Sequence, residues 1–421
     1  MKTAFDFPGV PALDKTSIPN ATAFICALLF LRPSALAPPR QPIVLSLIVL
    51  FIISPLATVL TNADPINLSE SSIPGMTLYD ALSLCVEQAV LLIPFLLGYN
   101  VLRGDGGQND ILRALAIAGL LYSLPMLFEV RMSPQLHAKL YGFFPASFGQ
   151  QMRFDGFRPV VFMGHGLLVA IFCCVALLTM VGQWRAGKTV FGISAGIASA
   201  YLAAVLYLCK SFGAIGFAII FAPLLYLAKP RQLVWLSAVL AIILISYPAL
   251  RGSGLIPVEE ISSLAKSLST DREASLAVRL ENEEVLLQKA NKRPAFGWGT
   301  YGRNRIYDED TGADESLTDG TWIIMVGTYG WVGYLACFGL LCFPLIAPLG
   351  RPTARGKTPL VTATLTIILA VNLLDLIPNS SLTPITWLIA GALSAPALRP
   401  RTQKPRGKDE DADNEAVPLP A

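Results

Sequence analysis

Long apolar runs recur along nearly the whole chain, and one long charged interval, Arg251 to Asp319, interrupts them. This alternation constrains the fold more than any other feature. Inside hydrocarbon every backbone amide must be satisfied by the protein itself, so repeated apolar runs dictate helices. About 20 residues at 1.5 Å rise cross a core of about 30 Å. The runs are Pro42–Leu60, Tyr79–Leu102, Ile111–Glu129, Arg158–Val181, Val190–Leu208, Phe212–Ala228, Leu233–Leu250, Gly320–Leu349, Pro359–Leu376 and Leu382–Leu398. Ala21–Leu31 is shorter and reads either as a brief first helix or as a re-entrant piece. Together they predict an all-α integral membrane protein with about 11 transmembrane segments and one large, partly helical loop. Composition agrees: 53% of the 421 residues are hydrophobic and 14% charged, against about 25% charged in soluble chains.

The chain then divides into an N-terminal region, 1–41, and helices over 42–250 with an external loop at 130–157. The large loop 251–319, helices over 320–398 and a disordered tail 399–421 follow. Alternate loops carry Arg32 with Arg40, Arg103 with Arg113, Arg185 with Lys188, Lys229 with Arg231, and Arg351, Arg355 and Lys357. Positive charge marks the cytoplasmic side, so the tail is cytoplasmic and both large polar loops lie outside. The basic residues in those external loops then need another explanation, and an anionic ligand supplies one.

Several chemistries are excluded. The chain has only two histidines, His137 and His165, and no Cys/His/carboxylate cluster at ligand spacing, so neither metal nor cofactor is expected. A net charge of +3 without a basic stripe gives no reason to expect nucleic acid. Gly297-Trp-Gly-Thr-Tyr-Gly302 fits the dinucleotide pattern by letter but follows no βαβ strand. Its glycines are expected to make tight turns that aim Arg303 and Arg305.

In the large loop Thr270-Asp-Arg-Glu273 has capping-box spacing and predicts a helix to about Lys289. Arg272 and Arg279 share its face, and Glu283 continues it as an i,i+4 partner of Arg279. Arg279, Arg293, Arg303 and Arg305 together suit a phosphate ligand, because guanidinium offers a fixed fork of donors. In the earlier loop, Arg158 precedes Pro159, a residue suited to the first position of a helix. His165 would then lie seven residues deeper on the same face, about 10 Å down the axis. Glu87 is an intramembrane acid, either on a pathway or paired to a neighbouring helix.

Three short motifs carry a resemblance: Phe157-Arg158-Pro159, Arg293-Pro294-Ala-Phe-Gly297-Trp-Gly299, and Thr318-Asp319-Gly320-Thr-Trp. With the hydropathy profile, they resemble the O-antigen polymerase and ligase family of multi-pass bacterial membrane enzymes. The family often has His-Asn where this chain has Asp319-Gly320. The resemblance implies a GT-C-like, metal-independent glycosyltransferase of the bacterial inner membrane, with the large loop periplasmic. The donor would be a glycan on undecaprenyl diphosphate, the acceptor a lipid-linked sugar hydroxyl, and other polysaccharide export proteins partners.

On that reading Arg158 and Arg279 hold the diphosphate, with Arg293, Arg303 and Arg305 in support and Glu283 and Glu87 as further candidates. Asp319 is the candidate base or acceptor-orienting group, and also reads as the N-cap of the following span. His165 titrates near neutrality when unperturbed and serves on the donor side, or as the base. Polymerase and ligase remain open, since acceptor choice lies in loop shape. A flippase is the alternative from another class, disfavoured because the polar residues gather in external loops.

Overall fold

The computed structural model describes residues 17–69, 72–145, 147–153, 156–255, 270–316, 318–350 and 358–395, with side chains undescribed at 270–276. The capping-box side chains Thr270 to Glu273, the loop of Arg351, Arg355 and Lys357, and the tail 399–421 lie outside these described parts.

The protein is an all-α membrane protein. Among the described residues its helices are α1 Ser17–Phe30, α2 Pro42–Leu60, α3 Leu78–Leu91, α4 Ile93–Asn100, α5 Gly104–Met132, α6 Leu136–Tyr141 and α7 Gly166–Arg185. They continue as α8 Ala195–Leu208, α9 Phe212–Leu227, α10 Pro230–Gly252, α11 Thr270–Ala290, α12 Thr321–Ile346, α13 Leu360–Asp375 and α14 Pro384–Ser394. Among the described residues six helical stretches are long and apolar enough to cross a membrane, and five apolar helices are shorter. Among the described residues strand structure is limited to three two-residue antiparallel hairpins, such as Met152–Arg153 against Gly156–Phe157, and one bridge between Tyr307 and Asp314.

α7 and α13 are the buried centre of the bundle, and most of their side chains are enclosed. Other helices keep large apolar side chains exposed, among them Leu60, Ile219 and Leu227. That outer surface suits lipid rather than water. Where helices need to touch closely, glycine permits it. A Cβ at Gly98 would lie 2.2 Å from the Leu388 carbonyl oxygen, and one at Gly391 would lie 2.0 Å from that of Phe95. These small-residue contacts seat α4 against α14.

The loop contacts fall into two groups at opposite ends of the helices. At one end Asn100 donates to the Ala35 and Ala37 carbonyls, Lys188 to Asn109, and Arg185 to the Ala228 carbonyl. At the other, Arg293 bonds Asp64, Arg303 bonds the Pro74 carbonyl, and Arg158 bonds the Lys210 carbonyl.

α12 is broken. Gly330 has φ 66° and ψ −169°, which no helix accommodates. The Arg293–Gly299 turn enters this break as a strand would. Trp298 and Gly299 amides donate to the Gly327 and Thr328 carbonyls at 2.8 and 2.9 Å. The Trp331 and Val332 amides donate back to Pro294 and Ala295 at 2.8 and 3.2 Å. Groups freed by the break are thus satisfied inside the protein, as an apolar surrounding requires. Gly297, Gly299 and Gly302 take the positive φ of tight turns, as expected, and Gly297 also permits close backbone approach: a Cβ on it would lie 2.5 Å from the Thr328 carbonyl oxygen.

Candidate functional site

A cavity of 710 Å³ opens at the loop end that holds Arg158. Its walls come from the hairpin before α7, the start of α7, α11, the residues before α12, and the turn between α13 and α14. The charged and titratable groups lining it are Arg153, Arg158, His165, Arg279 and Asp319, with Asn379, Ser380 and Ser381 opposite. Among the described residues cations therefore outnumber the one carboxylate.

Arg158 does not begin a helix. The Pro159 ring is followed by Val161 at φ 50°, and α7 starts only at Gly166. The predicted helical rise from Arg158 to His165 is absent, because a left-handed residue cannot belong to a right-handed helix. Both side chains still reach the one cavity, by a folded loop rather than a helix face. Arg158 is 6% exposed and spends one donor on the Lys210 carbonyl at 3.2 Å, while its Nε has no partner among the described residues. Burial first, then the Arg153 and Arg279 charges, lowers its pKa to about 10. It stays a cation at neutral pH, held where an anion would relieve it. Gly166 makes room for its stem: a Cβ there would lie 2.2 Å from Arg158 Cδ.

His165 is the N-cap of α7, and its Nδ1 accepts the Leu167 amide at 3.1 Å. Burial first, then Arg158, lowers its pKa below the usual 6.5, so the ring is neutral at pH 7. With Nδ1 accepting, the proton sits on Nε2, and His165 offers a donor with no free lone pair.

Asp319 is not an N-cap. Gly320 takes that position, without a side-chain cap. Asp319 Oδ2 instead lies 3.3 Å from Arg279 Nε, with 47% and 34% of the two side chains exposed. Arg279 also points a donor at the Pro378 carbonyl, 3.5 Å away. Its expected partner Glu283 turns elsewhere: it lies 4.0 Å from Arg251 and accepts from Tyr247 at 3.3 Å. Burial is the largest cause of its raised pKa, which suits a residue packed between α11 and α10 rather than one in a cavity.

The other predicted arginines are elsewhere. Arg303 is fully buried and donates to the carbonyls of Trp298, Pro74 and Asp64 at 3.2, 2.8 and 2.7 Å. Its fork is filled by backbone. Arg293 pairs with Asp64 at 2.8 Å and stacks on Trp298, and Arg305 pairs with Asp314. Glu87 sits on α3, away from the cavity lining. Of the nine nominated residues, the structure brings four together at the cavity: Arg158, Arg279, Asp319 and His165.

Arg153 and the turn Asn379–Ser381 escaped the sequence reading. Asp375 is 6% exposed and accepts from Asn379 at 2.8 Å and Ser381 at 2.6 Å, which fixes that turn. A polar run between two apolar ones was the available signal. Compared with models of known protein families and with curated proteins, the chain matches none.

Proposed function

We propose that the chain is a glycosyltransferase that polymerises undecaprenyl-diphosphate-linked repeat units into a surface polysaccharide or exopolysaccharide. In this reading all eleven apolar helices span the bacterial inner membrane, the cavity faces the periplasm, and the C-terminus is cytoplasmic. One observation carries it: a cavity in which, among the described residues, Arg153, Arg158, Arg279 and the His165 Nε2–H meet one carboxylate, Asp319. That is a setting for a multiply charged anion beside a proton acceptor. The motif resemblance supports the same substrate class.

The donor diphosphate lies against Arg158, Arg153 and His165. The bond between sugar C1 and the phosphate oxygen breaks, and undecaprenyl diphosphate leaves with the bonding pair. Charge grows on that oxygen, and the arginines stabilise it; one such preorganised donor is worth about 10²–10³ in rate. The acceptor hydroxyl oxygen bonds C1 and gives its proton to Asp319. His165 is the poorer acceptor for that proton, because its Nδ1 lone pair already accepts the Leu167 amide. Arg279 both lines the cavity and pairs with Asp319, so a bound diphosphate competes for it and frees the carboxylate.

The test is polymer synthesis by purified protein on lipid-linked repeat units. Asp319→Asn should lower turnover by about 10²-fold or more, the share of a general base. Wild-type turnover in Asp319→Asn, with His165→Ala inactive yet folded, exchanges the two roles. Transfer of finished glycan to another acceptor means ligase, and movement of lipid-linked units without transfer means flippase.

A further inference from the structure

Glu129 closes α5 and does not line the cavity, yet the segment that carries Arg158 and His165 hangs from it. Its side chain is fully buried. Oε2 accepts the amides of Val160 and Val161 at 2.8 and 2.7 Å, and Oε1 accepts Leu136 at 2.8 Å. Three amides on one buried side chain, two of them 31 and 32 residues away along the chain, make an unusual concentration of bonds. Hydrogen bonds to a charged group are roughly twice as strong as neutral ones.

The bonds fall where the backbone needs them. Arg158 N–H is held by the Gln151 carbonyl at 2.8 Å on one side, and Pro159 has no N–H. On the other side Val160 and Val161 have no helix or sheet to join. Val161 is β-branched and sits at φ 50°, a conformation that persists only where its surroundings over-determine it. Glu129 supplies that determination. Without it the loop loses both amide anchors directly after Arg158-Pro159, and the valine relaxes toward negative φ.

We infer that Glu129 is the positioning residue of the cavity, setting Arg158 and His165 from behind by clamping the Val160 and Val161 amides. The inference about the anion rests on the diphosphate reading above; the inference about the loop does not.

Two measurements on the full-length purified protein separate them. The first is hydrogen exchange over residues 158–165. Glu129→Gln keeps the volume but presents an amide N–H₂ to donors, and should speed exchange there about ten-fold or more while α7 stays protected. The second is binding of inorganic pyrophosphate. Glu129→Gln should weaken it about ten-fold in the wild-type background and less than about two-fold in Arg158→Ala, since the group it positions is already gone. Glu129→Asp, which keeps the charge and loses reach, should fall between. Unchanged exchange at 158–165, or equal weakening in both backgrounds, overturns the inference. So does failure of both Glu129 variants to fold, which would make the residue part of the bundle's stability alone. If wild type binds no pyrophosphate but exchange rises as stated, Glu129 keeps its role and the diphosphate reading falls.

Discussion

Arg158 and Arg303 are both buried at the same end of the bundle, and each follows a loop rather than a helix. Arg303 fills its fork with three backbone carbonyls from two loops. Among the described residues Arg158 makes one such bond, leaves Nε without a partner and faces a cavity already carrying Arg153 and Arg279. A buried guanidinium is costly unless its donors are used. Arg303 meets that requirement inside the protein, so its place is to pin loops. Arg158 does not, and an incoming anion would meet it instead. The same contrast separates two loops. The Arg293–Gly299 turn is saturated by its bonds to the broken α12, whereas in the Phe157–His165 loop the Arg158 side chain makes a single bond, to the Lys210 carbonyl, and the segment after it is anchored through the Val160 and Val161 amides.

Substitutions can break or sharpen this contrast. The largest effect is expected at Gly330, in the saturated region. A Cβ there would lie 2.4 Å from the Ala295 carbonyl oxygen, at a φ of 66° that alanine resists. Gly330→Ala should cost more than about 4 kcal/mol and remove folded protein, read as loss of a monodisperse peak in detergent. Next comes Arg303→Ala, which orphans three carbonyls and should lower stability by about 3 kcal/mol, measured by thermal unfolding. If Arg303→Ala instead keeps its stability and loses only catalysis, the contrast fails.

A smaller effect is expected from pH. The pKa of His165 is lowered in the fold below the usual 6.5, so the unfolded chain takes the proton first. Its contribution is intact above pH 6.5 and is lost as pH falls through the lower folded value. Protonation removes the Nδ1 acceptor from Leu167, a cap worth about 1 kcal/mol. Wild type should lose thermal stability on acidification, and His165→Asn, which caps without titrating, should lose less. The smallest effect is expected at the half-exposed pair of Arg293 and Asp64, where Asp64→Asn should change stability by about 0.2–1 kcal/mol and leave synthesis intact.

The helices were largely legible because lipid enforces one rule along the whole chain. Pro42–Leu60 was expected and is found with those bounds, and the Tyr79–Leu102 run appears as α3 and α4, divided at Leu92 ahead of Pro94. Local chemistry misled where tertiary bonds overrode it. Pro159 suits a helix start, but Glu129 holds the next two amides in a different shape. Asp319 suits an N-cap, but Arg279 from a distant helix claims it. Arg293, Arg303 and Arg305 look like Arg279 in sequence. Only their partners, Asp64, Asp314 and backbone carbonyls, distinguish them. The break in α12 was invisible because its filling segment lies some 30 residues earlier, in a turn that reads as ordinary glycine-rich loop.

The central claim is that the open arginine acts on substrate while the filled one holds the fold. Polymer synthesis by purified Arg158→Ala protein on lipid-linked repeat units, alongside its thermal unfolding, tests it most directly. An unfolding midpoint close to wild type and turnover reduced by about 10²–10³-fold are expected. Wild-type chain length and turnover in folded Arg158→Ala protein would contradict it.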